Sequence, residues 1–421
     1  MLSRVSKTIR IIWKYTRKPL LGLAAVLGIV LISAWLLAAF FEDEVKAYFL
    51  QKINTELNTR VEIGEIHLSL LDHFPQASVS LQNVKADHSK PYRGAGKLLE
   101  AQSIDFSFSV WDLFSGSYSI HRIDLSNGAM NILRNSDGII NYQLLKPQEK
   151  SSSSDEKFSF ELKSLHVNQM NILIRDEPSS FSTLFLVNSG QFKGAFTDDV
   201  FDLDIDTDVQ LTHLKSDETS WLSDRPVSID VGLKINKSTD LYTFTGGDIQ
   251  ISDLQLTVDG SIQNQSDPVF DLKLGGKDLD ISSFLSVLPA GYDEQIKKYR
   301  SDGKFYCSAE LKGVWGKKTY PLITASFGIS EGEITQKEND IQLEGVNLIG
   351  TFTNGSQHNM TSSELSLKQV RMKLRGGEVK GDLLIRNFSQ PYIQVKADAS
   401  LALSDIQQFF PLDPLQLKSG T

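Results

Sequence analysis

Few residues in this chain have the type and spacing that covalent chemistry needs. Gly328-Ile329-Ser330-Glu331-Gly332 fits the G-x-S-x-G pattern of a nucleophile elbow. An elbow holds its serine on a sharp turn between a strand and a helix. Glu333 to Asp340 are polar and offer no apolar helical face, so the match reads as a strand-connecting turn. Asp202, Asp204, Asp206 and Asp208 could suggest calcium, but at period two they share one face of a strand, and a calcium loop's glycine and terminal glutamate are absent. They read as a solvated outer face. The histidines (His67, His73, His88, His121, His166, His213, His358) are scattered, and no pair has HExxH-like metal spacing. Asp72-His73 has no serine or cysteine motif to complete a triad and reads as a turn before Phe74-Pro75. Cys307 lies among Phe305, Tyr306, Ala309 and Leu311 and reads as a buried structural thiol. The sequence has no Walker loop, dinucleotide fingerprint or CxxC pair. No catalytic residue, metal site or cofactor is expected, and the chain is expected not to be an enzyme.

Function must then come from location and surface. Leu20 to Phe41 is an apolar run without a charge, preceded by Arg4, Lys7, Arg10, Lys14, Arg17 and Lys18 and followed by Glu42, Asp43 and Glu44. Crossing a bilayer takes roughly 20 apolar residues, and basic flanks stay cytoplasmic. Residues 1–19 are therefore expected as a cytoplasmic tail, 20–41 as a single-pass anchor, and about 380 residues as exported. The competing reading is a cleaved signal peptide with Leu36 and Ala38 before the cut, but the run is longer than the usual h-region. Removing the six tail charges from the net −9 leaves −15 outside, which disfavours nucleic acid and polybasic lipid binding. One cysteine excludes an intramolecular disulfide, which suits a bacterial periplasm.

Beyond an amphipathic helix expected over Glu44 to Asn58, the periodicity is two. Phe201 to Val209 alternates, as do Ile229 to Ile235, Ile249 to Val258, Leu272 to Ile281 and Ile393 to Leu403. Turn signals lie between them at Gly246-Gly247, Gly275-Gly276, Asn354-Gly355 and Gly376-Gly377. Short helices are expected at Ser282 to Leu288, Asp293 to Arg300 and Ser404 to Phe410. Ser151 to Lys157 reads as a flexible linker. It separates an N-terminal region (42–150) from two groove units (158–289 and 290–421). Repeats support the division: Ile249 to Val258 matches Leu365 to Leu374, each followed by glycine, asparagine and proline, and Met130-Asn131-Ile132 recurs as Met170-Asn171-Ile172. The second unit stops at Lys418 to Thr421, where its next strand would open.

Behind the anchor come Arg60 to Leu71, then Phe74 to Val84, Ile123 to Gly128 and Asp137 to Tyr142. In that order the chain resembles the AsmA family of Gram-negative envelope proteins, of Bacteroidota type. The resemblance implies an inner-membrane protein projecting into the periplasm, related to bridge-like proteins whose bent sheet encloses an apolar groove and moves glycerophospholipids. It supplies no catalytic residues.

The expected fold is mostly β: a transmembrane helix followed by an elongated, curled antiparallel sheet of about 25 strands. Its lining is expected to include Leu203, Ile205, Val231, Leu233, Ile251, Leu256, Leu272, Leu274, Val395 and Leu401. A closed sandwich would show the same alternation. The expected function is phospholipid binding and transfer between inner and outer membranes. The alternative is a scaffold that regulates outer-membrane protein assembly, with assembly proteins as partners at an exposed sheet edge. An outer-membrane barrel is disfavoured by the anchor and the irregular strand spacing.

Overall fold

The computed structural model describes residues 57–73, 76–109, 118–143, 158–196, 198–216, 219–285, 298–316 and 319–402. The apolar run Leu20 to Phe41, the linker 151–157 and the helix expected over Ser404 to Phe410 lie outside these residues. So does all but the last two residues of the helix expected over Glu44 to Asn58. Among the described residues no helix is long and apolar enough to cross a membrane.

The strands form one large, open, curled sheet. They are β1 (Val61–Glu62), β2 (Glu65–His73), β3 (Gln76–Ala86), β4 (Leu99–Ser109), β5 (Tyr118–Arg134), β6 (Phe158–Asp176), β7 (Phe181–Gly194), β8 (Val200–Ser216) and β9 (Thr219–Asn236). There follow β10 (Leu241–Ile251), β11 (Leu254–Gln263), β12 (Val269–Asp280), β13 (Tyr299–Val314), β14 (Leu322–Gln336), β15 (Ile341–Thr353), β16 (Glu364–Leu374), β17 (Gly377–Arg386) and β18 (Tyr392–Ser400). From β2 to β18 each strand pairs with the next, while β1 shares with β2 one edge of β3. The sheet is hydrogen-bonded across both sequence divisions, through β5–β6 and β12–β13. At ~4.8 Å per strand its contour is about 80 Å.

Alternation explains why one chain can build so large a sheet. In β12 and β13, Leu272 stands opposite Leu311 on one face. On the other face Asp271 meets Lys312 at 3.5 Å and Lys273 meets Glu310 at 3.7 Å. Arg386 and Glu364 repeat the arrangement at 2.8 Å between β16 and β17. Such exposed pairs contribute little stability, but a one-residue slip would put them on the apolar face.

The structure corrects several expectations. The sheet is not antiparallel throughout, because β5 and β6 are parallel. Parallel neighbours need a connection of a dozen or more residues, and Arg134 and Phe158 are far enough apart in sequence to allow one. Among the described residues there are 18 strands, against the 25 expected, because many are long: β6 has 19 residues and β9 has 18. Gly246-Gly247 and Gly275-Gly276 do not connect strands; they lie inside β10 and β12 at register shifts. Ser330 likewise lies inside β14, where Glu331 adopts φ 50° next to a shift. Alternating runs interrupted by glycine read as hairpins, whereas here they are single strands with bulges. The short helix covers Ile281–Leu285, but Tyr299 and Arg300, assigned to helix, open β13. The matched repeats also diverge: Ser252-Asp253 turns the chain between β10 and β11, whereas Lys368-Gln369 is a bulge within β16. Downstream they agree, so Leu272 and Val395 occupy equivalent places after the turns at Pro268 and Pro391.

Bulges recur across the sheet, at Gly247 in β10, Gly303 in β13 and Gln369 in β16, each at a register shift. A bulge bends its strand and increases local twist, so repeated bulges curl the sheet about its apolar face. The tightest packing is at the N-terminal end, where Ala77, Val79, Leu81, Ile120 and Met170 are at most 2% exposed.

Candidate functional site

Residues directly opposite one another on neighbouring strands share a face. Leu203 stands opposite Leu233, Leu233 opposite Phe244, Phe244 opposite Gly260, Gly260 opposite Leu272, Leu272 opposite Leu311 and Leu311 opposite Ile323. Ile205 stands opposite Val231 in the next row. Ile251 and Leu256 belong to the same face through Ile249, which pairs with both Ile229 and Leu256. Leu274 alternates with Leu272. Two residues beyond it, Gly276 begins a row through Cys307, Phe327, Gly350, Leu367 and Leu383 to Val395. Nine of the ten sequence-predicted lining residues thus lie on one face of one sheet. Leu401 lies just past β18, half-buried, with its Cβ against Gly377.

This face changes character along the chain. Leu203 and Val231 are buried, at 7% and 4% exposure. Ile205, Leu233, Ile251, Leu256, Leu272 and Leu274 are only half-buried. Val395 is 62% exposed. The substantial contacts of each strand are with its neighbours in the sheet, and the short helix lies only against β12 and β13.

The opposite face is polar. Asp202, Asp204, Asp206 and Asp208 are exposed on the outside of β8. Further along, Arg122 donates two hydrogen bonds to Asp124, at 2.5 and 2.7 Å. His166 Nδ1 lies 3.5 Å from the same carboxylate, and Gln191 lies 3.0 Å from His166 Nε2. Burial, and then the Arg122 charge, push His166 below its ordinary pKa. The network orders side chains on the outer wall and presents no nucleophile. Cys307 is half-buried on the inner face, and burial pushes its thiol up, away from the reactive thiolate. Among the described residues no group of three or more His, Cys, Asp or Glu side chains is placed to hold a metal ion.

Sequence reasoning missed the aromatic part of the inner face. Phe305 and Phe327 lie 6.4 Å apart there, and Phe270 and Trp315 lie 5.8 Å apart at a strand end. The period-two pattern contained these residues, but aliphatic runs drew the assignment. It also missed Arg134 and Asp176, the charged ends of the inner-face series Met130-x-Ile132-x-Arg134 and Ile172-x-Ile174-x-Asp176. Arg134 and Asp176 stand opposite each other on β5 and β6.

Compared with known proteins, the chain matches no family model, no curated protein and no solved structure. The fold and the chemistry of its two faces therefore carry the functional reading.

Proposed function

We propose that this chain is a non-enzymatic, inner-membrane-anchored periplasmic protein that shelters phospholipid acyl chains on its apolar concave face and helps move lipid between the inner and outer membranes. One observation carries the reading: a single apolar face runs through consecutive strands, and although Val258 and Phe305 on it are packed, Leu233, Ile251, Leu256, Leu272 and Leu274 are only half-buried. A two-chain lipid has roughly 30 methylenes, each costing about 0.8 kcal/mol in water, so free passage faces a barrier of order 20 kcal/mol. A trough that covers the chains and leaves the headgroup wet lowers that barrier. The resemblance to the AsmA family and the basic-flanked apolar run support the location.

Native mass spectrometry of the full-length protein, extracted gently from membranes, tests this reading. Phospholipid bound near stoichiometry is the expected result; a lipid-free protein overturns it.

A second reading is favoured by β18, which is exposed along its whole length and whose outer edge pairs with no described strand. Such an edge accepts a partner strand, as a scaffold for outer-membrane protein assembly would require. A stable protein partner recovered without lipid favours that reading.

A further inference from the structure

Arg134 and Asp176 are charged residues on the largely apolar inner face, and they help line a cavity of about 270 Å³. One wall of the cavity comes from the ends of β5 and β6 and the start of β7, with Phe181. The other comes from the turn before β12 and the end of β13, with Phe270 and Trp315. These are opposite ends of the strand meander. Six strand steps separate β6 from β12, and the curl of the sheet brings residues of both to one cavity. The cavity is thus a mouth of the groove, reached by the apolar rows that end in Arg134 and Asp176.

Its chemistry is bipolar. Arg134 Nη1 lies 3.8 Å from Asp176 Oδ2, longer than a hydrogen bond, and Ser179 Oγ donates to the same oxygen at 2.7 Å. Asp176 Oδ1 is shut from solvent and receives no hydrogen bond. An unsatisfied buried acceptor is costly, and a missing donor explains it. Phe270 and Trp315, a tilted pair, line the same cavity, and aromatic faces attract cations. Asp267 also lines the cavity, which leaves its charged side chains with one positive and two negative groups. That balance disfavours a ligand carrying only negative charge.

From this arrangement we infer that the mouth of the groove selects a zwitterionic phospholipid headgroup bearing a primary ammonium. The guanidinium of Arg134 takes the phosphate. The ammonium goes to the Asp176 carboxylate, after it turns about its Cβ–Cγ bond, and to the aromatic pair. The volume falls below the ~300–1,000 Å³ of pockets that enclose whole drug-sized ligands, which fits a headgroup whose tails lie in the trough. The inference rests on the lipid-groove reading and adds the class of lipid.

The test loads full-length protein from vesicles holding equal amounts of phosphatidylethanolamine and phosphatidylglycerol with identical acyl chains, and reads the bound lipids by native mass spectrometry. The wild type is expected to carry about 5–10-fold more phosphatidylethanolamine, within the range of charge-assisted and cation–π contacts. Asp176→Asn should bring the ratio near one without changing total lipid per protein, and Trp315→Leu should lower it partway. Equal uptake by the wild type, or a ratio untouched by Asp176→Asn, overturns headgroup selection and leaves the groove standing. Absence of both lipids overturns the groove reading itself. Soluble glycerophosphoethanolamine is the separate arm: Asp176-dependent binding of it by a protein that carries no lipid would assign the pocket to a free phosphodiester and overturn the lipid inference.

Discussion

Val395 stands directly opposite Leu383 on the last described strand pair, on the same face as Leu274 six strand steps away, yet it remains 62% exposed. An apolar side chain so exposed contributes little to folding. Val395→Asp should therefore shift stability by no more than about 0.5 kcal/mol. If acyl chains travel along this face, the same change should reduce lipid crosslinking at this end of the trough. Leu274→Asp and Leu233→Asp should do so further in. Unchanged crosslinking in folded Val395→Asp protein would remove this stretch from the lining.

The two ends of the inner face should respond differently to truncation. Met170 is fully buried, with Gly128 opposite it on one side and Val187 on the other. Met170→Ala leaves a cavity in packed structure and should cost about 2–5 kcal/mol in urea unfolding. Leu272 is half-buried, and Leu272→Ala should cost less than half as much. Equal costs would mean that the groove is as tightly filled as the N-terminal core.

Gly246 and Gly247 separate two contributions to the bend in β10. Both have positive φ, at 121° and 140°. A Cβ on Gly246 would meet nothing within 4 Å, whereas one on Gly247 would lie 2.3 Å from the Asp230 carbonyl oxygen and 2.5 Å from Val231 Cα. Gly246→Ala should carry only the backbone strain, about 1 kcal/mol, and Gly247→Ala should add displacement of β9 for a total of about 3 kcal/mol or more. Chemical denaturation of both variants measures the difference. Identical values would mean that β9 and β10 are not held in this close approach.

These bulges mark the limit of what the residues reveal before folding. Alternation in Phe201 to Val209 or Ile229 to Ile235 assigns strands and faces directly, because the side-chain period of two is a local property. Where glycine interrupts the alternation, as at Gly246-Gly247, a turn and a bulge have the same composition. Only pairing with β9 and β11 on either side selects the bulge. The parallel β5–β6 pair is nonlocal in the same sense, although the recurring Met-Asn-Ile triplets foreshadow it by lying side by side, two residues out of step. Arg134 and Asp176 were hidden for another reason. Their series are apolar until the final residue, and on the opposing wall Phe270 lies 94 and Trp315 139 residues after Asp176 in sequence.

The outer-wall network predicts a pH dependence. His166 is pushed below 6.5 by burial first and then by Arg122 and Lys193, with Asp124 acting in the other direction. Above pH 6.5 the imidazole is neutral in both folded and unfolded chains. As pH falls below 6.5 the unfolded chain takes up the proton and the folded one does not, so native stability declines until the lower folded pKa is reached and levels off beneath it. The stabilising contribution is therefore present above 6.5 and lost on acidification. His213, pushed down by burial, then Lys215 and Arg175, adds a contribution of the same sign. Thermal unfolding between pH 5 and 8 should show a melting temperature that falls on the acid side, and His166→Gln should remove part of that slope while leaving the His213 part. Gln191 lies at hydrogen-bond distance from His166 Nε2, so the Tm of the variant at pH 8 sets the baseline for its lost contact. A slope identical in the two proteins would show that His166 titrates alike in the folded and unfolded chains, and that the Arg122–Asp124–His166 cluster does not hold the ring neutral.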